Sequence, residues 1–258
     1  MNNIKDTILN SRTKAQTTLD FVPSAVFFDL NSTILDTMKS DLNSLRETLG
    51  IDKDAPLNIN DYKKDGQTLY NSLGADAKSD LSMRYMMDIS SGRVPLFPDA
   101  LETLSTLKKL NIPVGVITNR NKLIADGIKK KYPMLYDLID AWLFPLRHKD
   151  VFKMESENNS DLQNVFEKPN PVTLQLALRE LQNQPPIDEN ILFVGDAKSD
   201  VLFAERCGIT PILFYSETST ISPEFISIRP GLKIVANHTE LKNMIISASR
   251  NNPATIAN

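Results

Sequence analysis

Short runs of hydrophobic residues, each closed by a polar residue, mark three places along the chain. They occupy residues 25–28, 114–117 and 191–194 and are rich in β-branched or aromatic side chains. None alternates with polar residues, which is typical of strands that are buried on both faces of a sheet. Two weaker runs, at residues 141–144 and 211–214, predict further strands.

Helical patterns lie between these runs. Leucine recurs at every third position from Leu101 to Leu110, and residues 171–181 also place leucines on one helix face. A third helix is predicted at residues 200–207, where Gly208 ends it. This alternation predicts an α/β fold with a doubly wound, Rossmann-like parallel sheet. In such folds the functional groups gather at the carboxyl ends of the strands.

A long segment after the first strand interrupts the alternation. It contains helical patterns at residues 38–49, 65–73 and 77–89, and it is too long for a plain crossover. We therefore expect an inserted α-helical cap domain at residues 38–96, with the core formed by residues 20–37 and 97–250. Residues 1–19 form an N-terminal extension, and the polar stretch at residues 147–166 is predicted to be a surface loop or short helix.

Composition excludes several classes of function. A net charge of −3 over 258 residues gives no general electrostatic case for binding nucleic acid or an anionic membrane surface. With one cysteine, Cys207, the chain cannot build an internal disulfide or a thiolate zinc site. The N-terminus lacks the apolar core of a signal peptide, and no hydrophobic run approaches the ~18 residues of a membrane span. A cytoplasmic location is the simplest expectation.

Polar residues at or near the predicted strand ends supply the parts of one chemistry. Alone, Asp29 is more simply explained as a hydrogen-bonding residue in a turn. Together the set suits phosphoryl transfer, in which a carboxylate attacks phosphorus and a cation with oxygen ligands offsets the repulsion. A hydroxyl and a lysine then hold the phosphoryl oxygens. The set is, in chain order, Asp29, Thr118, Lys168, Asp196 and Asp200.

Segments around these residues resemble, in order and spacing, the motifs of the haloacid dehalogenase-like hydrolase superfamily in its phosphatase branch. The segments are DLNSTILDT, GVITNR, FEKPNPVTLQLAL and FVGDAKSDVLFAERCG. The stretch FPDALETLSTLKKLNIP is similar to the lead-in to the second motif in members that resemble phosphoglycolate phosphatase. The resemblance extends from about Val26 to about Met244, and it implies the same fold.

The resemblance implies a Mg²⁺ cofactor and its ligands. Asp29 would be both the nucleophile and a Mg²⁺ ligand, and Asn31 would contribute its backbone carbonyl to the ion. Asp196 would bind the ion directly or through water. Asp200 would bind metal-coordinated water or orient Lys168; it is also a candidate N-cap residue for the helix at residues 200–207, and both roles can hold.

Phosphate binding is implied for the second and third motifs. The Thr118 hydroxyl, the backbone N–H of Asn119 and the Lys168 ammonium would hold the phosphoryl oxygens. The catalytic set implied by the resemblance is Asp29, Asn31, Thr118 and Lys168.

One position departs from the family pattern. Family phosphatases carry an aspartate where this chain has Asn31, and that aspartate protonates the leaving group and then accepts a proton from the hydrolytic water. A carboxamide has no titratable proton near neutral pH, so we expect a rate loss of ~10²–10⁴. Ser32 replaces the usual glycine and is expected to restrict the turn. The expected function is a Mg²⁺-dependent phosphatase that acts on a small phosphorylated metabolite through aspartyl phosphate and is impaired in this form.

Several alternatives stay open. Asn31 is explained equally by an engineered substitution, a natural impaired phosphatase that binds its ligand, another acid or base, or deamidation to aspartate. The rival function is a catalytically silent binding or regulatory protein for a phosphorylated ligand. A phospho-receiver domain is disfavoured because its acidic pair precedes the phospho-acceptor aspartate, whereas in this chain the acidic pair, Asp196 and Asp200, comes last. A dehalogenase or phosphonatase is disfavoured because nothing singles out a reactive cap lysine. In the cap, Arg84 and Arg93 are candidate substrate contacts, and a solvated surface position explains each at least as well.

Overall fold

A computed structural model gives the fold, and it describes residues 4–50, 75–120, 123–144, 167–216, 219 and 221–251. Within these residues six parallel strands form one sheet in the order β3-β2-β1-β4-β5-β6. The strands are β1 (Ala25–Phe28), β2 (Val114–Ile117), β3 (Ala141–Leu143), β4 (Ile191–Gly195), β5 (Thr210–Phe214) and β6 (Lys233–Val235).

Helices connect the strands and cover both faces of the sheet. Before β1 lie two short helices, α1 (Ile4–Asn10) and α2 (Lys14–Thr17). The others are α3 (Met38–Leu49), α4 (Ala75–Ser91), α5 (Ala100–Lys109), α6 (Leu123–Lys131), α7 (Pro133–Asp137), α8 (Val172–Arg179), α9 (Lys198–Cys207), α10 (Pro223–Ser227) and α11 (His238–Asn251). None of the helices in the described part of the chain has the length and apolar character needed to cross a membrane.

Strand β1 shows why a continuous hydrophobic run suits this fold. Successive side chains of a strand point to opposite faces of the sheet. Val26 and Phe28 pack into one hydrophobic cluster with Leu104 of α5, and Phe27 packs into a second cluster with Phe203 of α9. All four residues of β1 are buried, so neither face tolerates a polar residue. The doubly wound α/β prediction is confirmed.

The register of the sheet brings the strand ends together. Phe28 pairs with Val116 of β2 and with Val194 of β4. Because the strands are parallel, the polar residues that follow them emerge at one edge of the sheet. The site candidates at the ends of β1, β2 and β4 therefore meet near the centre of the sheet.

Helix α9 begins before the predicted position, which changes the structural role of Asp200. The helix starts at Lys198, and Ala197 is its N-cap residue. The Asp200 carboxylate accepts a hydrogen bond from the backbone N–H of Ala197 at 3.0 Å, as the third helical residue does in a capping box. The prediction that Asp200 is the N-cap residue is therefore wrong. Gly208 ends the helix in the left-handed region at φ 69°, as predicted.

The predicted cap is described in part. Helices α3 and α4, which we call the cap helices, lie close to two of the three predicted cap helices. The third, at residues 65–73, lies outside the described residues, as does the polar stretch at residues 147–166. Cap helix α4 packs against α3 and also against the core helix α6.

The chain leaves the core for the cap helices and returns at adjacent points. Leu35 forms an antiparallel bridge with Leu96. The backbone N–H of Asp36 donates to the carbonyl of Pro95 at 2.9 Å, and the N–H of Phe97 donates to Ile34 at the same distance. The two crossings therefore form a short paired segment against the core.

The N-terminal segment packs on the edge strand β6. Arg12 donates to the backbone carbonyl of Ile234 at 3.0 Å and forms an ion pair with Glu240 of α11. Lys233 donates back to the carbonyl of Ala15 at 2.7 Å. An exposed strand edge is a template for unwanted pairing, and residues 4–17 cover this one.

Candidate active site

The central strand β1 ends in a buried aspartate. Asp29 follows Phe28 directly, and its backbone N–H donates to the carbonyl of Val194 on β4 at 2.8 Å. The residue is only 8% exposed. Because an unpaired charge is costly to bury, this carboxylate needs partners of opposite charge.

Lys168 supplies the compensating charge. Its Nζ atom lies 2.5 Å from Oδ1 of Asp29 and 2.7 Å from Oδ1 of Asp200, and its side chain is 3% exposed. Burial disfavours the charged lysine, but Asp200 and Asp29 outweigh burial, so the pKa of Lys168 is raised. Lys168 is therefore an ammonium ion that joins two carboxylates from different parts of the chain.

Two carboxylates follow strand β4. Asp196 comes directly after Gly195, and Asp200 lies one helical turn further on. A Cβ atom at Gly195 would lie 2.4 Å from the carboxylate carbon of Asp200, so glycine allows that side chain to lie against the strand end. One carboxylate oxygen from each of Asp29, Asp196 and Asp200 lies within 4.8 Å of the others.

Burial and mutual repulsion raise the pKa of Asp29 and Asp196. Burial raises the pKa of Asp29 to about 6, with Lys168 acting against this shift and Asp200 adding to it. Burial also raises the pKa of Asp196 well above its ordinary value, and Asp200 and Asp29 raise it further. A cation bound among these groups would favour their ionised forms.

The donor set fits a hard divalent cation. Mg²⁺ prefers oxygen ligands and is held by one or two carboxylates while it keeps several waters. Asp29 and Asp196 are suited to direct contact. Both oxygens of Asp200 already accept hydrogen bonds, from Lys168 and from the N–H of Ala197, which suits a contact through metal-bound water.

The second motif places Thr118 and Asn119 next to β1. Thr118 is buried at the end of β2, where its N–H donates to Leu143 at 3.2 Å. The Asn119 side chain accepts from the N–H of Lys168 at 2.8 Å and donates to the Lys168 carbonyl at 3.1 Å. Asn119 therefore fixes the backbone that carries the buried lysine, a role that the sequence did not indicate.

The side chain of Asn31 meets two residues that the sequence did not single out. A guanidinium group only donates hydrogen bonds, so the amide oxygen must face Arg120. In this orientation Oδ1 accepts from Nε and Nη2 of Arg120 at 2.7 and 3.0 Å, and Nδ2 donates to Oη of Tyr85 at 2.8 Å. Burial raises the pKa of Tyr85 well above its ordinary value, which argues against Tyr85 as a replacement acid at neutral pH.

The turn after Asp29 depends on a strained serine and a buried histidine. Ser32 has φ 54°, in the left-handed region that glycine enters at little cost. His238 of α11 is fully buried and donates from Nε2 to the carbonyl of Thr33 at 2.8 Å. Burial lowers the pKa of His238 to about 4, so the ring is neutral at pH 7. The structure thus gives a role to a histidine that the sequence showed only as isolated.

The arrangement agrees with a comparison of the chain with known families. Residues 23–208 match a family described as haloacid dehalogenase-like hydrolase. The chain belongs to the haloacid dehalogenase-like hydrolase family. The match includes every motif named above and ends before β6 and helix α11.

Relatives of the chain include two bacterial phosphoglycolate phosphatases. That of Neisseria meningitidis is 27% identical over 201 residues, which cover 71% of this chain and 77% of the relative. That of Escherichia coli K12 is 28% identical over 127 residues, which cover 48% of this chain and 42% of the relative.

Solved structures share the fold of this hydrolase. A family IA hydrolase from Entamoeba histolytica has a TM-score of 0.62 at 19% identity and aligns over 87% of this chain and 99% of its own. CbbY from Rhodobacter sphaeroides, solved in complex with phosphate, has a TM-score of 0.61 at 16% identity, over 85% of this chain and 96% of its own. At these identities the likeness concerns the fold alone.

The candidate substrate contacts in the cap are engaged in ion pairs. Arg84 lies 2.7 Å from Asp80 on its own helix and 2.5 Å from Glu47 of α3. Arg93 lies 2.6 Å from Asp88. These contacts favour the solvated surface interpretation of both arginines.

Proposed function

We propose that this hydrolase is a Mg²⁺-dependent phosphatase that acts on a small phosphorylated metabolite through an aspartyl-phosphate intermediate. The observation that carries the proposal is the buried cluster at the end of β1, in which Lys168 joins Asp29 to Asp200 and Asp196 lies alongside. The cluster combines a nucleophilic carboxylate, a fixed ammonium and oxygen ligands for a cation, which are the parts that phosphoryl transfer needs.

The first step forms the intermediate. A carboxylate oxygen of Asp29 attacks phosphorus, and the bond between phosphorus and the leaving-group oxygen breaks. Lys168 and the Thr118 hydroxyl hold the phosphoryl oxygens, and Asn119 keeps the lysine backbone in place. Asp29 and Asp196 would hold Mg²⁺, which would supply positive charge that offsets the repulsion between the carboxylates and the phosphate.

The second step regenerates the enzyme. Water attacks the phosphorus of the aspartyl phosphate, which releases inorganic phosphate and restores the Asp29 carboxylate. A carboxyl group at position 31 would protonate the leaving oxygen and then accept a proton from this water. Asn31 can do neither, so turnover should be reduced by ~10²–10⁴.

The substrate class rests on the relatives. Two relatives are named phosphoglycolate phosphatases, and a mutant of CbbY was solved with xylulose-(1,5)bisphosphate. These support a small, anionic phosphate monoester. The ion pairs of Arg84 and Arg93 give no reason to assign substrate binding to either residue.

The test is Mg²⁺-dependent hydrolysis of para-nitrophenyl phosphate by the protein with Asn31 and by Asn31→Asp. Intact-mass and peptide analysis first establish the fraction of asparagine at position 31, because deamidation would give aspartate. We expect Asn31→Asp to raise turnover by ~10²–10⁴. Asp29→Asn in the same background is the control, since it removes the nucleophile and should abolish the gain.

The other outcomes discriminate between functions. If both proteins are inert but bind Mg²⁺ and inorganic phosphate, the silent binding or regulatory function is the better account. Equal, robust activity with asparagine confirmed would show that another group moves the proton, and the role given to position 31 would be wrong.

A further inference from the structure

Two side chains from separate parts of the chain converge on Asn31. Arg120, two residues beyond Thr118, donates twice to Oδ1 of Asn31, at 2.7 and 3.0 Å. Tyr85, on cap helix α4, receives the Asn31 amide hydrogen at 2.8 Å. Arg120 also lies 3.4 Å from Asp41 of cap helix α3. Position 31 is therefore contacted by the second motif and by the cap together.

The contacts around Arg120 fix its direction. Its guanidinium carbon lies 4.8 Å from the centre of the Tyr85 ring, so the cation rests on the aromatic face while two of its nitrogens point at Asn31. The Tyr85 ring is 1% exposed, so it has little freedom to move aside. A planar guanidinium that donates two bonds to one oxygen restricts where that oxygen can lie.

Docking of α4 on the core is what brings Tyr85 to Asn31. Helix α4 packs against the core helix α6, where Gly127 faces it. A Cβ atom at Gly127 would lie 2.9 Å from Oγ of Ser90 and 3.3 Å from a methyl carbon of Ile89, so the glycine permits this close approach. The contact between Tyr85 and Asn31 therefore depends on the cap helix being seated on α6.

We propose that Arg120 and Tyr85 are positioning residues for the side chain of residue 31, and that this side chain takes its working orientation only when cap helix α4 is docked. The catalytic importance of this orientation rests on the proposed phosphatase function, whereas the positioning of the side chain does not. It ties the proton-transfer position of the first motif to the seating of the cap, so that a carboxyl group there would be aligned only over an enclosed substrate.

The first test does not depend on activity. The side-chain NH₂ group of Asn31 gives a pair of ¹H–¹⁵N signals, assigned by their loss in Asn31→Asp. Arg120→Gln and Tyr85→Phe, which removes only the hydroxyl, should both shift this pair and speed its exchange with water. Two matched controls, Arg93→Gln on the cap surface and Tyr136→Phe in the core, should leave it unchanged. Unchanged signals in folded Arg120→Gln and Tyr85→Phe would overturn the proposal.

The second test separates positioning from direct contact with the substrate. In the Asn31→Asp background, Arg120→Gln should lower kcat by roughly 10²-fold, the effect of misplacing a catalytic group by about 1 Å. In the Asn31 background, where residue 31 moves no proton, the same change should have a much smaller effect. Equal losses in both backgrounds would show that Arg120 acts on the substrate itself and would overturn the proposal.

A conservative variant completes the design. Arg120→Lys keeps the positive charge but lacks the planar group whose two nitrogens donate to one oxygen. We expect it to restore little of the lost kcat, and full restoration would show that charge, not positioning, is what Arg120 contributes. If no variant has phosphatase activity, the proposed function fails, and the amide signals still decide whether the side chain of residue 31 is positioned as inferred.

Discussion

Lys168→Met should destabilise the folded protein in the absence of Mg²⁺, because it removes the charge that compensates two buried carboxylates. Methionine matches the length of the lysine stem but cannot pair with Asp29 or Asp200. Removing one partner of a buried ion pair typically costs about 3–5 kcal/mol. For a chain of this size that cost corresponds to a fall in melting temperature of roughly 6–20 °C.

A second route gives the same magnitude. We expect the folded Lys168→Met variant to hold one more protonated carboxyl group than the folded protein with Lys168 does. An unfolded aspartate titrates near ~3.9, so holding one proton at pH 7 costs about 4 kcal/mol at about 1.36 kcal/mol per pKa unit. When the pKa of a carboxyl group is higher in the folded protein than in the unfolded chain, the folded protein loses stability as the pH rises above the unfolded-state pKa. The deficit should therefore shrink by about 2 kcal/mol for each extra proton between pH 7 and pH 5.5.

Urea denaturation of both proteins at pH 7 and pH 5.5, without divalent ions, measures the deficit. Lys130→Met is the matched control, because Lys130 is an exposed lysine of α6 and its loss should change stability by less than about 0.5 kcal/mol. A deficit below about 1 kcal/mol at pH 7, in the range of exposed pairs, would show that solvent already screens the cluster. A deficit that does not change with pH would refute the idea that an extra proton is taken up.

Three further stability measurements probe the turn after Asp29 and the edge of the sheet. Ser32→Gly should stabilise the protein by about 1 kcal/mol in urea denaturation, because a left-handed residue other than glycine costs ~1–2 kcal/mol, and no gain would mean that the turn is not strained. His238→Phe should cost about 1–3 kcal/mol at pH 7, since the buried carbonyl of Thr33 loses its donor. Because the depressed pKa of His238 makes the natural protein lose stability as the pH falls from about 6.5 towards 4, this gap should narrow in acid, and a constant gap would contradict the assignment. Arg12→Ala should cost about 1–2 kcal/mol through its lost bonds to the edge of the sheet, and a neutral change would show that the N-terminal segment stabilises nothing.

The sequence predicted those strands and helices whose own hydrophobic residues show which of their faces is buried. The run at residues 25–28 predicted β1 because both of its faces are covered, and the leucines from Leu101 to Leu110 predicted α5 because one face meets the sheet. Strand β6 was not predicted, because it has only three residues and begins with the half-buried Lys233. Three such residues show no recognisable pattern of hydrophobic and polar positions. Helix α9 was placed two residues too late because Ala197 gives no capping signal of its own.

The candidate site divides in the same way. Asp29, Lys168, Asp196 and Asp200 could be named because each lies in a short motif, and the structure brings them together.

The contacts of Arg120 and Tyr85 with Asn31 could not be predicted. Their partners are set by how a helix from the insert packs on a core helix, and no local pattern encodes that docking. Arg120, two residues after Thr118, was the one available signal, since a basic residue so near a predicted phosphate-binding hydroxyl raises the question of what it contacts.

The paired crossings at Leu35 and Leu96 have a consequence for how this family can diversify. Hydrogen bonds between the two crossings hold the ends of the insert together, so the insert is a closed loop. The entropy of closing such a loop depends only weakly on its length. Doubling the length of such a loop costs only about 0.6 kcal/mol. The insert can therefore be lengthened between the two crossings at little cost in loop-closure entropy, while the nucleophile at the end of β1 stays in place.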